Sequence, residues 1–220
     1  VLQWIKQGTS VSQVSSRALA IDTAGNVIVA AYFGTTAAPT VTFGSFILTS
    51  HGQRDICVVK YDPSGNELWA VSGGGSNTGE EPKDVAVDLA GNVYVTGVFR
   101  DTAFFGTQTI IGNGGYEMFV AKYTKDGELS WVKSAGGPKD DEGSGIALDN
   151  QGYFYVGGKF DSIATFQTTN LVSAGKNDAY IAKYDTTGNL IWIKYGGGAD
   201  DDFCNDIAVD RFGDIYGIGQ

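Results

Sequence analysis

Cationic side chains are in short supply: 15 Lys and Arg stand against 25 Asp and Glu, a formal net charge of −10. Binding nucleic acid or an anionic membrane without regard to sequence needs clustered Lys and Arg, so both are excluded as the main function. The two cysteines, Cys57 and Cys204, are too few for a disulfide framework and too far apart for a CxxC site. A single histidine, His51, excludes a multi-histidine metal centre. No apolar run approaches the roughly 18 residues of a membrane span. The opening VLQWIKQG lacks the basic segment, apolar stretch and cleavage site of a secretory signal, so any export signal has been removed or lies outside this chain. The patterns G-x-S-x-G, G-x-G-x-x-G, P-loop and HExxH are all missing, which leaves hydrolase, dinucleotide and metalloprotease readings without support.

What is abundant is glycine, at 32 of 220 positions, and it recurs in phase with other residues. The four tryptophans, Trp4, Trp69, Trp131 and Trp192, are spaced by 65, 62 and 61 residues. Asp22, Asp88, Asp149 and Asp210 each close an apolar stretch (LAID, VAVD, IALD, IAVD), and Gly25, Gly91, Gly152 and Gly213 follow three residues later. Two series in step define an internal repeat. Each unit divides into four short runs rich in β-branched and aromatic residues, here named a to d; in the second unit they are DVAVD (84–88), NVYVTGVF (92–99), EMFVAKY (117–123) and ELSWVKS (128–134). The a–b joints (DTAGN, DLAGN, DNQGY, DRFGD) and c–d joints (YDPSGN, YTKDGE, YDTTGN) read as hairpin turns, with Asp folding onto turn amides and Gly taking the left-handed conformation.

No segment shows a capped 3.6-residue pattern, so the fold is expected to be all-β, a propeller of four-stranded antiparallel blades. The period exceeds that of familiar propellers, and the excess falls between b and c, where 101–116 and 161–177 alternate apolar residues well enough to add a short hairpin. One partial propeller domain is expected over 1–220, with units at 1–15 (a lone d strand, LQWIKQ), 16–77, 78–140, 141–202 and 203–220 (strands a and b only). That is fifteen strands and about three and a half blades, so the chain is expected to belong to a larger propeller whose exposed last strand needs a partner.

The strings GNVYVTGVF, FGTQTIIGNGGYEMFVAKYTKDGELSWVKSAGG, FGSFILTSHGQRDICVVKYDPSGNELWAVSGGG and FQTTNLVSAGKNDAYIAKYDTTGNLIWIKYGGG resemble the SBBP repeat, the seven-bladed β-propeller repeat of secreted and cell-surface bacterial proteins. The resemblance implies a propeller and export, and it brings no catalytic residues.

The d–a loops 72–84, 134–145 and 195–206 are acidic at equivalent places. In a propeller the d–a and b–c connections share one face, which Glu80, Glu81, Asp140, Asp141, Glu142, Asp200, Asp201 and Asp202 can ring, suiting calcium or a basic partner. Against this, such charges also serve as plain solvated loop residues, and the D-x-[DN]-x-[DN]-G spacing of a calcium loop is missing. Lys60, Lys122 and Lys183 precede a tyrosine in strand c, and three copies of one lysine fit stems laid over apolar neighbours better than a nucleophile. The tryptophans are expected between blades, Cys57 buried in strand c, Cys204 in a loop, and both thiols free.

The function expected is a non-enzymatic module of an extracellular or bacterial-surface protein, with rigid blades displaying loops to a protein or carbohydrate. An adhesive assembly subunit, pairing its open strand edges with further blades or another copy, is the alternative. An enzyme with a site at the central channel is the third reading.

Overall fold

The computed structural model describes residues 4–6, 13–35, 39–76 and 79–220. Among these there is no helix, and every strand pairing is antiparallel. The first unit runs β1 (Val14–Ile21), β2 (Val27–Phe33), a hairpin of β3 (Thr40–Phe43) and β4 (Phe46–Thr49), then β5 (Asp55–Tyr61) and β6 (Glu67–Gly75). The second is β7 (Glu81–Val87), β8 (Val93–Phe105), β9 (Gln108–Tyr123) and β10 (Leu129–Ala135). The third is β11 (Glu142–Leu148), β12 (Phe154–Phe166), β13 (Thr169–Tyr184) and β14 (Leu190–Gly196), followed by β15 (Cys204–Val209) and β16 (Ile215–Gly219). The expected a–b–c–d meander is therefore present three times, with a further a–b pair. Of the expected first strand, LQWIKQ, residues 2, 3 and 7 lie outside the described residues, and 4–6 form no strand. Cys204 is corrected from loop to the first residue of β15, where it is buried; both thiols are free.

The turns form as their residues dictate. In the second unit Asp88 accepts the amides of Ala90 at 2.9 Å and Asn92 at 2.8 Å, and its other oxygen takes the Asn92 side chain at 2.8 Å. Gly91 supplies the required φ of 84°. Asp22, Asp62, Asp149, Asp185 and Asp210 accept turn amides in the same way.

The long b–c connection is where sequence and structure part. In the second and third units the extra hairpin is no separate insertion: β8 and β12 run on for 13 residues each, β9 and β13 for 16. A register shift between Arg100 and Thr102, and another between Asp161 and Ile163, breaks each long pair. Asp101 and Ser162 sit there at φ 58° and 64°, the left-handed bend that lets the ladder resume. The hairpin tip then reaches the preceding sheet, where Gly73, Gly74 and Gly75 of β6 pair with Phe105, Phe104 and Ala103. Gly136 and Thr165 repeat the contact at the next junction.

Successive sheets bury their faces against each other. One core lies between the first two sheets, with Ile28, Ile56, Val58 and Trp69 against Val95, Phe105 and Phe119. A second lies between the next two, with Tyr94, Met118 and Val120 against Phe154, Phe166 and Leu171. Trp69 and Trp131 fill the space between sheets as expected, Trp4 packs against the first unit, and Trp192 joins none of these cores; three of them donate Nε1–H to the c–d turn of the following unit: Trp4 to the Pro63 carbonyl at 3.1 Å, Trp69 to Lys125 at 3.0 Å and Trp131 to Thr186 at 3.2 Å. The a strands β1, β7, β11 and β15 touch in succession, so the sheets converge at their first strands and fan apart beyond.

Candidate functional site

Because the a strands adjoin, the residues that open them come together at the end from which the d–a loops emerge. Arg17 of β1 meets Glu81 of β7 at 2.7 Å; Lys83 lies 3.7 Å from Glu81 and 3.6 Å from Glu142 of β11. This line of alternating charge crosses three sheets. Beside it opens a cleft of 220 Å³ whose wall includes Arg54, Glu81, Lys83, Tyr116, Asp140 and Lys159, contributed by all three complete units. Arg17 and Arg54 stand over the Tyr32 ring at 5.0 and 5.1 Å, and Arg100 over Tyr116 at 5.8 Å, which orients the guanidinium groups.

The eight acidic loop residues divide. Glu81 and Glu142 belong to the charge line. Asp140 is exposed and accepts the Tyr116 amide at 2.9 Å. Asp200 and Asp201 face Lys176 at 3.2 and 3.7 Å, and Asp201 also takes the Asn177 side chain at 2.6 Å. Asp202 turns back to the Gly198 amide at 2.7 Å. Glu80 and Asp141 do not reach the loop face, since both are fully buried. Asp141 accepts the amides of Gly137 at 2.7 Å and Asp161 at 3.2 Å, tying the end of one sheet to the bend of the next hairpin.

Each inward acid has a companion that sequence reading overlooked. Asp55, Glu117 and Asp178 open strand c, recur at the repeat spacing, and are buried. A Cβ placed on Gly197 would lie 2.7 Å from both Asp178 Oδ1 and Asp202 Oδ2, and Gly136 holds the same position between Glu117 and Asp141. A side chain there would have to displace these carboxylates, in keeping with the recurring middle glycine of GGG, AGG and GGG. Burial, with the neighbouring Asp55 charge, pushes Glu80 up to about 7; burial and Glu117 push Asp141 up to about 7 against its amide hydrogen bonds. Glu80 is further distinguished because neither carboxylate oxygen has a hydrogen-bond partner. Among the described residues no group of three or more His, Cys, Asp or Glu side chains is gathered to hold a metal ion.

The recurrent lysines end on anions or rings. Lys60 reaches Asp22 at 2.9 Å, Lys122 lies 5.0 Å over Tyr94, and Lys183 lies 4.0 Å over Tyr153. His51 serves Asp55, which accepts its backbone amide at 2.9 Å and lies 3.2 Å from Nδ1.

Repeated antiparallel sheets, fanned from their first strands and joined by hairpins, define the class as an all-β repeat protein. Residues 191–220, which hold nearly all of β14 together with β15 and β16, match the SBBP family model, described as a beta-propeller repeat. Over 166 residues the chain is 29% identical to "Regulatory protein FlaEY" of Caulobacter vibrioides, an alignment covering 72% of this chain and 17% of that protein. Over 128 residues it is 34% identical to an uncharacterized WD repeat-containing protein of Acanthamoeba polyphaga mimivirus, covering 52% of this chain and 9% of that protein. The chain thus spans less than a fifth of either curated relative.

Proposed function

We propose that the chain is a non-enzymatic part of an extracellular or bacterial-surface β-propeller, about three and a half blades of a larger ring, whose loop face binds a polar ligand. The observation that carries this reading is the cleft shared by three units, where Arg54, Lys83 and Lys159 alternate with Glu81 and Asp140 around Tyr116. Side chains held by ion pairs and rings on rigid strands lose little freedom on binding, and mixed charge with an aromatic suits a protein or carbohydrate rather than a polyanion. The test is a glycan and peptide array probed with the unmodified chain and with an Arg54→Ala, Lys159→Ala double variant. Binders that the variant loses support the reading; binders retained equally by both place recognition elsewhere.

A further inference from the structure

The carboxylates around the loop-face cleft are already engaged. Glu81 is paired with Arg17 and Lys83, Glu142 with Lys83 and the Ser144 hydroxyl at 3.1 Å, and Asp140 accepts the Tyr116 amide. The buried Asp141 is taken by the amides of Gly137 and Asp161. Two cations in the same wall are not so engaged. Arg54 stands over Tyr32 and Lys159 lies 5.0 Å over the Phe203 ring, yet neither has a carboxylate or carbonyl partner among the described residues. Guanidinium and ammonium groups only donate, so the bonding capacity left over in this cleft calls for an anion.

Size and surroundings narrow the anion. At 220 Å³ the cleft falls below the ~300 Å³ at which drug-sized sites begin, so it admits one small group rather than a length of chain. Asp140 and Glu142 keep lone pairs free to accept hydroxyls, and their charge repels a second anion beside the first. An acidic peptide side chain offers a carboxylate with no donor next to it. A hexuronate offers one carboxylate and several ring hydroxyls in a single compact group, and the C–H face of its ring suits the apolar wall of Val98 and Tyr116.

Resting on the loop-face reading, we propose that the cleft takes one uronic-acid residue of an otherwise neutral glycan. Arg54 and Lys159 hold its carboxylate, and Asp140 and Glu142 accept its hydroxyls.

The test titrates the whole chain with methyl β-glucuronide and with methyl β-glucoside, which differ only in the carboxylate, and follows backbone amide shifts by NMR. Expected are saturable shifts at Tyr116 and Lys159 with the glucuronide, and binding of the glucoside about tenfold weaker, the worth of a charge-assisted hydrogen bond. Arg54→Gln and Lys159→Gln, each first shown to melt at an unchanged temperature, are expected to weaken the glucuronide by a similar factor and leave the glucoside unaffected. Equal binding of the two sugars overturns the proposal, as does the absence of shifts at Tyr116 and Lys159. N-acetylglutamate binding as tightly as the glucuronide also overturns it, and makes an acidic peptide the occupant. The array separates this inference from the reading beneath it: neutral glycans or peptides lost by the Arg54→Ala, Lys159→Ala variant, with no response to glucuronide, keep the cleft as the binding site and remove the uronate.

Discussion

The first junction between sheets and the third begin from nearly the same sequence, SGGG and YGGG, and end in opposite conditions. At the first, Gly73–Gly75 are paired with the incoming hairpin and Phe105 is 1% exposed. At the third, the described residues end after strands a and b of the next unit, before any hairpin or c–d turn that could meet this surface, and Trp192 rests 6.1 Å from Tyr155. The lesson is that a sheet in this repeat is not complete in itself: its last strand is finished by the following unit. Stability is accordingly concentrated where two units meet, and substitutions at equivalent residues should differ with the junction.

The largest contrast is expected at the glycine track. Gly75→Val places a branched side chain against the Thr102 carbonyl and should cost ~3 kcal/mol or more, whereas Gly198→Val should fall within ~0.5 kcal/mol of the unmodified chain, as read by denaturant midpoints. Phe105→Ala should likewise cost ~3–5 kcal/mol through the cavity it leaves, and Tyr195→Ala far less.

Next comes pH. Glu80 binds its proton more tightly folded than unfolded, so its contribution is fully present below the unfolded value near 4.5 and is lost as pH rises through about 7. Glu80→Gln removes the charge that must otherwise be buried, and should raise stability at pH 8 by ~3 kcal/mol while flattening the decline between pH 5 and 8 in thermal melts.

A smaller effect is expected in the turns. Asp88→Ala loses two turn amides and the Asn92 side chain and should cost ~1–2 kcal/mol; Asp210→Ala should cost less, because Asp214 stands where Asn92 does in the second unit and adds no side-chain donor. The smallest is Arg17→Ala. Its half-exposed pair with Glu81 should contribute ~0.5 kcal/mol, and the loss should shrink in high salt.

These contrasts also show what was legible in the residues. Asp88 to Gly91 and Trp69 to Trp131 announce turns and period because their chemistry is local or repeated. The continuity of β8 was not legible, since it depends on Asp101 adopting a left-handed bend that its side chain does not advertise. The inward turn of Glu80 and Asp141 was hidden for a different reason. Acidic residues in a glycine-rich loop ordinarily stay in water, and only the matching spacing of Asp55, Glu117 and Asp178 hinted at an interior companion. The cleft, gathered from residues as distant as Arg54 and Lys159, could not be assembled before the sheets were placed side by side.

The bond from Trp69 to the Lys125 carbonyl joins residues 56 positions apart, and each tryptophan with a described successor unit repeats it. A gene built this way can gain or lose whole periods by unequal recombination, because every new seam is chemically the same as the old ones. A breakpoint inside a period would instead leave an indole without its acceptor and a glycine track without its strand, so inheritance should favour copy-number change in full units.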